Sequence, residues 1–244
     1  MIYVIGLGPG GKEEMTPRAL SAMERCDTIL GYRTYIELIA PLFPNKDLRP
    51  SAMRQEGERC RMALTLAQEG RTVGLVSSGD PGVYGMAGLM LEIARDQVEV
   101  EIVPGITAAS SAAAVLGAPL MQDFAVISLS DLLTPRALIE RRLCAAAQGD
   151  FAVCLYNPSS RGRPRHFQWA CDLLLRYRPP ETPAGWVRDA GRQGQSHGIT
   201  TLGEIRNAQL DMFCTAIIGN SRTLITAGRM VTRRGYLLEA GERP

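Results

Sequence analysis

The sequence predicts an α/β protein of two domains, the first built on a parallel sheet and the second on a mixed one. Three observations predict it. Short β-branched and aliphatic runs alternate with helical patterns along the chain, which is how strands joined by crossover helices into a buried parallel sheet are written. That alternation is interrupted at Ala118-Pro119-Leu120, so the domains are read as residues 1–117 and 118–244. Past the interruption two strand-like runs are joined by a glycine-rich turn, a hairpin spacing that makes the second sheet mixed.

In chain order, the first strand covers residues 2–5, where Ile2-Tyr3-Val4-Ile5 follows Met1 directly. Thr16 then supplies a cap and Pro17 the first position of a helix. A strand at 28–30 precedes a helix at 54–69, closed by Gly70, and a strand at 72–76 precedes a helix at 85–95. The strand at 99–103 leads into a helix from Thr107 to Gly117. The second half resumes with a strand at 124–129, a helix capped by Thr134 and Pro135 and stopped near Gly149, and a strand at 151–156. A helix at 165–177 and strands at 185–188, 198–201 and 213–218 complete the pattern.

Composition limits the functions available. With 244 residues, 45% apolar and 21% charged, the chain can bury a full core and is neither collagenous, disordered nor a disulfide framework. A net charge of +2 gives no general attraction to nucleic acid or membranes. The longest small-apolar stretch, residues 108–120, is broken by Ser110, Ser111, Gly117 and Pro119 and is too short to cross a bilayer. No basic leader precedes the first apolar run, so a cytoplasmic protein is expected. Six cysteines without a CxxC pair and only two histidines, His166 and His197, predict no metal site.

Ligands of open parallel sheets bind beyond the carboxyl ends of the strands, and here those ends share a character. Gly6-Leu7-Gly8-Pro9-Gly10-Gly11, Ser77-Ser78-Gly79-Asp80-Pro81-Gly82 and Pro104-Gly105-Ile106-Thr107 follow strands of the first half. Tyr156-Asn157-Pro158-Ser159-Ser160 and Gly219-Asn220-Ser221 repeat the habit in the second. Any one such loop is ordinary turn chemistry, but their recurrence favours a site. The glycines at 6, 8 and 11 match GxGxxG, yet a dinucleotide site needs a helix starting inside that loop and an acid ending the second strand. The helix signal comes later, at Thr16-Pro17, and the available strand-end positions are Thr28, Ile29, Leu30 and Gly31. Asp80 sits between Gly79 and Pro81, where an Asx turn and a ligand role can coexist. The two histidines suggest no nucleophilic triad and are read as surface or supporting residues. Arginines cluster after strand ends, with Arg161, Arg163 and Arg165 foremost, and a planar guanidinium suits the carboxylates of an acidic substrate.

Taken in order, Gly6-Leu7-Gly8-Pro9-Gly10, Gly79-Asp80-Pro81 and Pro104-Gly105-Ile106-Thr107-Ala108-Ala109 resemble the three N-terminal signatures of the tetrapyrrole methylase family. Within it, Ile127-Ser128-Leu129-Ser130-Asp131, Leu155-Tyr156-Asn157-Pro158-Ser159-Ser160 and Ile217-Ile218-Gly219-Asn220-Ser221 resemble the precorrin-3B C17-methyltransferase branch of cobalamin biosynthesis. Two segments depart from that branch, Gly191-Arg192-Gln193-Gly194-Gln195, where acids are usual at 193 and 195, and Thr232-Arg233-Arg234-Gly235-Tyr236. The resemblance implies two α/β domains with S-adenosylmethionine (SAM) in the cleft between them, and a homodimer. It implies SAM contacts at Pro9, Ser78, Gly79, Asp80, Val83, Thr107 and Ala108 in the first domain, and at Asn157, Ala190, Thr215 and Ala216 in the second. The implied reaction is methylation of carbon 17 of a precorrin or cobalt-precorrin, coupled to contraction of the macrocycle.

Methyl transfer from a sulfonium to an electron-rich pyrrole-derived carbon needs alignment more than a protein nucleophile. Contraction also moves protons, and Ser128, Ser130 and Asp131 are the candidates to assist, with a helix cap as the plainer role of Asp131. Competing readings are another SAM-dependent tetrapyrrole C-methyltransferase, a nicotinamide-dependent reductase, and a non-catalytic tetrapyrrole carrier.

Overall fold

The computed structural model describes residues 1–236 and divides into two compact units, Met1–Ala108 and Ala109–Pro244. The first unit contains β1 (Ile2–Gly6), α1 (Pro17–Arg25), β2 (Thr28–Tyr32), α2 (Arg33–Ile39), β3 (Asp47–Ser51), α3 (Glu56–Gln68), β4 (Val73–Ser77), α4 (Ala87–Ala94) and β5 (Val100–Val103). The strands form one all-parallel sheet in the order β3-β2-β4-β1-β5. Burial on both faces explains the unbroken apolar runs. Tyr3, Ile5 and Val76 pack under α1 and α2, while Ile2, Val4 and Leu75 pack under α3 and α4. The predicted punctuation is in place: Thr16 Oγ1 accepts from Ala19 N at 3.1 Å, Pro17 opens α1, and Gly70 follows α3 at φ +90°.

The chain then forms α5 (Ala108–Leu116), β6 (Gly117–Ala118), β7 (Phe124–Ser128), α6 (Arg136–Gln148), β8 (Ala152–Tyr156), α7 (His166–Leu174), β9 (Pro183–Arg188), β10 (Ser196–Thr201), α8 (Leu202–Ile205), β11 (Cys214–Ile218), β12 (Thr223–Thr226) and β13 (Arg229–Thr232). The second sheet, β10-β9-β11-β8-β7, is mixed: β7 and β8 are parallel and the remaining pairs antiparallel. One face packs under α6, α7 and α8, with Leu129, Leu155, Phe167 and Ala216 fully or almost fully buried. On the other face Ala109, Ala112 and Leu116 of α5 meet Cys154, Val187, Ile217 and Met230. This packing puts α5 with the second unit, so the division falls nine residues before the sequence-expected 117/118 boundary, at 108/109. The helix is continuous in pattern with the first unit, but its apolar face is used by the second.

The cap expected at Thr134 is not made; Pro135 precedes α6 and no side chain caps it. Arg178, buried after α7, donates from Nη1 to Gly219 O at 2.6 Å and from Nη2 to Phe151 O, tying together the ends of β11 and β8. No helix among the described residues is long and apolar enough to cross a membrane.

Candidate functional site

In the first unit β1 and β4 are neighbours, yet the chain leaves β1 toward β2 on one side and β4 toward β5 on the other. The two connections run over opposite faces of the sheet, with α1 on one and α4 on the other, and such a switch between neighbouring strands leaves room for a ligand at their carboxyl ends. The two loops there are pinned together by Gly8 N to Gly79 O at 3.1 Å and Gly79 N to Gly8 O at 2.8 Å. Glycine is demanded by contact: a Cβ on Gly105 would lie 2.2 Å from Gly79 O, and one on Gly6 2.6 Å from the same atom. The third loop is drawn in by Asp80, whose Oδ2 accepts from Gly105 N at 3.1 Å while Oδ1 closes an Asx turn on Gly82 N at 2.8 Å. Both turn and cross-link roles of Asp80 are thus occupied by backbone amides, and a ligand would meet its remaining lone pairs.

Gly79 itself differs. Its φ is +69°, and a Cβ there would stand in ordinary van der Waals contact with Ala108 N, Ile106 O and Thr107 Cα, 3.8–3.9 Å away. Ser78, Asp80, Val83, Thr107 and Ala108 are half-buried around this spot, and Pro9 is buried. A loop without side chains, facing the start of a helix and flanked by hydroxyls, is a cradle suited to a polar nucleoside-type group. Helix α1 begins at Pro17 and β2 ends at Tyr32, so neither the phosphate-facing helix start nor the ribose acid of a dinucleotide site is present.

In the second unit the ends of the parallel pair β7 and β8 are joined by side chains. Asn157, at φ +53°, donates from Nδ2 to Ser128 Oγ at 2.9 Å, and Ser130 N donates to the same oxygen at 3.2 Å. Tyr156 Oη accepts from Ala109 N at 2.6 Å, holding the first turn of α5. Asp131 does not cap α6. Its Oδ2 lies 3.0 Å from His166 Nε2 and its Oδ1 3.7 Å from Arg163 Nε. The hydrogen bond from His166, reinforced by the nearby guanidinium, holds the Asp131 carboxyl below the usual carboxylate range. His166, read from sequence as a bystander, is therefore part of this cluster; its partner lies 35 residues away, and no local spacing marks such a pair.

The arginine cluster separates into different roles. Arg163 donates from Nη1 to Leu129 O at 3.2 Å and from Nε to Ser160 Oγ at 3.3 Å, so its guanidinium braces its own loop. Arg161 and Arg165 are exposed. Arg161 borders a groove of about 480 Å³ that includes Ser160 and Phe167 on one side and Arg206, Gln209 and Asp211 on the other. Thr215 is buried on β11, and Ala216 is enclosed in the core beneath α6 and α7, leaving it no free side-chain face. Ala190 is half-buried against the α5 layer. In the departing segment, Gln195 Oε1 accepts from Gly191 N at 2.8 Å, a bond for which an amide oxygen serves as well as a carboxylate.

An open parallel sheet with glycine-lined strand ends, joined in sequence to a mixed-sheet unit, is the architecture of a family. The chain belongs to the tetrapyrrole (corrin/porphyrin) methylases, whose family model matches residues 1–206. It is 47% identical over 241 residues, 98% of this chain and 100% of the other, to a probable cobalt-factor III C(17)-methyltransferase of Salmonella typhimurium. Among solved structures it is similar to the methyltransferase CobJ, with a TM-score of 0.89 and 38% identity over 95% of this chain and 99% of that one. The fold is shared, at 24% identity and a TM-score of 0.72, with a uroporphyrin-III C-methyltransferase from Thermus thermophilus solved with S-adenosylhomocysteine, covering 89% and 96% of the two chains.

Proposed function

We propose that this protein transfers the methyl group of SAM to carbon 17 of a precorrin or its cobalt-bearing counterpart, with contraction of the ring, in the making of cobalamin. One observation carries the reading: near-half identity that runs the whole length of both chains to a relative named for that carbon. The cofactor reading is supported by the cradle at Gly79, where a Cβ would occupy space beside Thr107 and Ala108. When bound, SAM supplies an electrophilic methyl on a sulfonium. The chain's part is to hold it through Pro9, Ser78, Gly79, Asp80, Val83, Thr107 and Ala108, with Asn157, Ala190 and Thr215 as contacts carried by the second unit; Ala216, enclosed in the core between two paired strands, is withdrawn from that set. Ser128, Ser130 and Asp131 serve the proton movements of contraction, and Arg161 and Arg165 meet substrate carboxylates, with Arg163 bracing their loop. The protein works as a cytoplasmic homodimer.

The test is mass spectrometry of products formed from isotope-labelled SAM and each candidate precorrin or cobalt-precorrin, with carbon NMR to locate the methyl and the contracted ring. Label on carbon 17 supports the reading. Label on another carbon makes the protein a different tetrapyrrole methyltransferase, and binding without transfer makes it a carrier. Quenching of protein fluorescence by NADH but not SAM would return the nicotinamide alternative.

A further inference from the structure

We propose that His166 is the proton acceptor for the methylated macrocycle, with Asp131 as the group that orients it; this rests on the methyltransferase reading above. The geometry is that of a base held by a carboxylate. Asp131 is ionised, so its Oδ2 accepts and His166 Nε2 must carry the hydrogen of their 3.0 Å bond. The lone pair then belongs to Nδ1, which has no hydrogen-bond partner among the described residues. The ring is fixed on its other sides: its side chain is only 13% exposed, and it stands edge-on to Trp169 with centroids 6.0 Å apart. Trp169 in turn lies beneath the Arg136 guanidinium of α6, at 4.3 Å. The charged groups around the imidazole are therefore Asp131 from the β7–α6 loop, Arg163 from its own loop, and Arg136 behind Trp169.

The chemistry requires such an acceptor. When an enamine carbon takes the methyl, a carbon–carbon bond forms from the enamine pair, and the sulfur–methyl bond breaks with its electrons left on sulfur. In the metal-free precorrin the positive charge passes to the enamine nitrogen, which still bears a proton. Loss of that proton to Nδ1 gives a neutral imine and an imidazolium paired with Asp131, and the imidazolium returns the proton to water. No oxidant or reductant enters. Position agrees with this role, because Asp131 follows the carboxyl end of β7 and His166 opens α7 after the loop that leaves β8, the two strand ends that Ser128 and Asn157 join.

Two substitutions distinguish a base from a brace. His166→Gln keeps an N–H that can donate to Asp131 but has no basic nitrogen, and His166→Ala leaves room for free imidazole. Both variants should bind SAM by calorimetry with wild-type affinity, and His166→Gln should keep an unfolding midpoint near that of the wild type, whereas His166→Ala, which removes a largely buried ring, should lower it. Methyl transfer to the metal-free precorrin in a single turnover should fall about a hundredfold or more in His166→Gln. Added imidazole should restore His166→Ala, in proportion to the unprotonated fraction of the imidazole. Asp131→Asn, which leaves the base unoriented, should fall by a smaller factor and provides a second measure if the histidine variants fold poorly. Wild-type rates in His166→Gln, or no response of His166→Ala to imidazole, overturn the proposal. A wild-type enzyme that transfers methyl to no tetrapyrrole overturns the underlying reading instead.

Discussion

Gly79 and Gly105 both end in the same contact, and each excludes a side chain for a different reason. At Gly79 a Cβ would make only ordinary contacts and the obstacle is the left-handed backbone, which costs an ordinary residue about 1–2 kcal/mol. At Gly105 the obstacle is the Gly79 carbonyl itself, 2.2 Å from where a Cβ would stand, so backbone must move. Urea denaturation should therefore show a loss of about 1–2 kcal/mol for Gly79→Ala and a larger one for Gly105→Ala. Gly79→Leu should remain folded yet lose SAM affinity by calorimetry, because its side chain fills the cradle; unchanged affinity would remove this loop from the site. The arginines divide in the same way. Replacing Arg161 by Gln should leave stability alone and raise the apparent constant for the macrocycle roughly ten- to a hundredfold, the worth of one charge-assisted contact of about 1.5–3 kcal/mol. Replacing Arg163 by Gln should instead lower the unfolding midpoint, since it releases Leu129 O and Ser160 Oγ.

Elements with local chemical punctuation were legible in the sequence: α1 through Thr16 and Pro17, α3 through Gly70, and the buried parallel strands through their apolar runs. Elements decided by distant pairing were not. Strand β3 reads Asp-Leu-Arg-Pro-Ser and exists because it lies on the edge beside β2, with Thr28 opposite Asp47, where a proline and polar side chains are tolerated. Strands β6 and β13 meet across more than a hundred residues, Gly117 opposite Met230, and a two-residue strand leaves no pattern to read. The site divides along the same line: the glycine loops were visible because the turn is local, whereas the Asp131–His166 pair was not, because it is formed by folding. The place of α5 is the case with the largest consequence. Leu116 is fully buried among residues of the second unit, so Leu116→Ala should cost about 2–5 kcal/mol. Hydrogen exchange should show protection lost in β8, β9 and β11 and kept in β1 and β4. The opposite distribution would assign α5 to the first unit after all.

Across the whole molecule, the cysteines report on each unit separately. Burial pushes the thiols of Cys26 and Cys60 in the first unit up to about 12 and about 11. It does the same in the second, where Cys154 and Cys171 reach about 12 and Cys214 about 11. A thiol that is both buried and protonated reacts only when its surroundings open, so labelling of these five follows unfolding, while half-buried Cys144 is free to react first. A ligand that binds only the closed form at a hundred times its dissociation constant suppresses opening about a hundredfold. The contact residues proposed for SAM fall in both units, from Pro9 to Ala108 and from Asn157 to Thr215. Saturating SAM should therefore slow the labelling of Cys26 and Cys60 and also of Cys154, Cys171 and Cys214, read peptide by peptide in a mass spectrometer. Protection confined to Cys26 and Cys60 would restrict SAM to the glycine loops of the first unit and strike Asn157, Ala190 and Thr215 from its contacts.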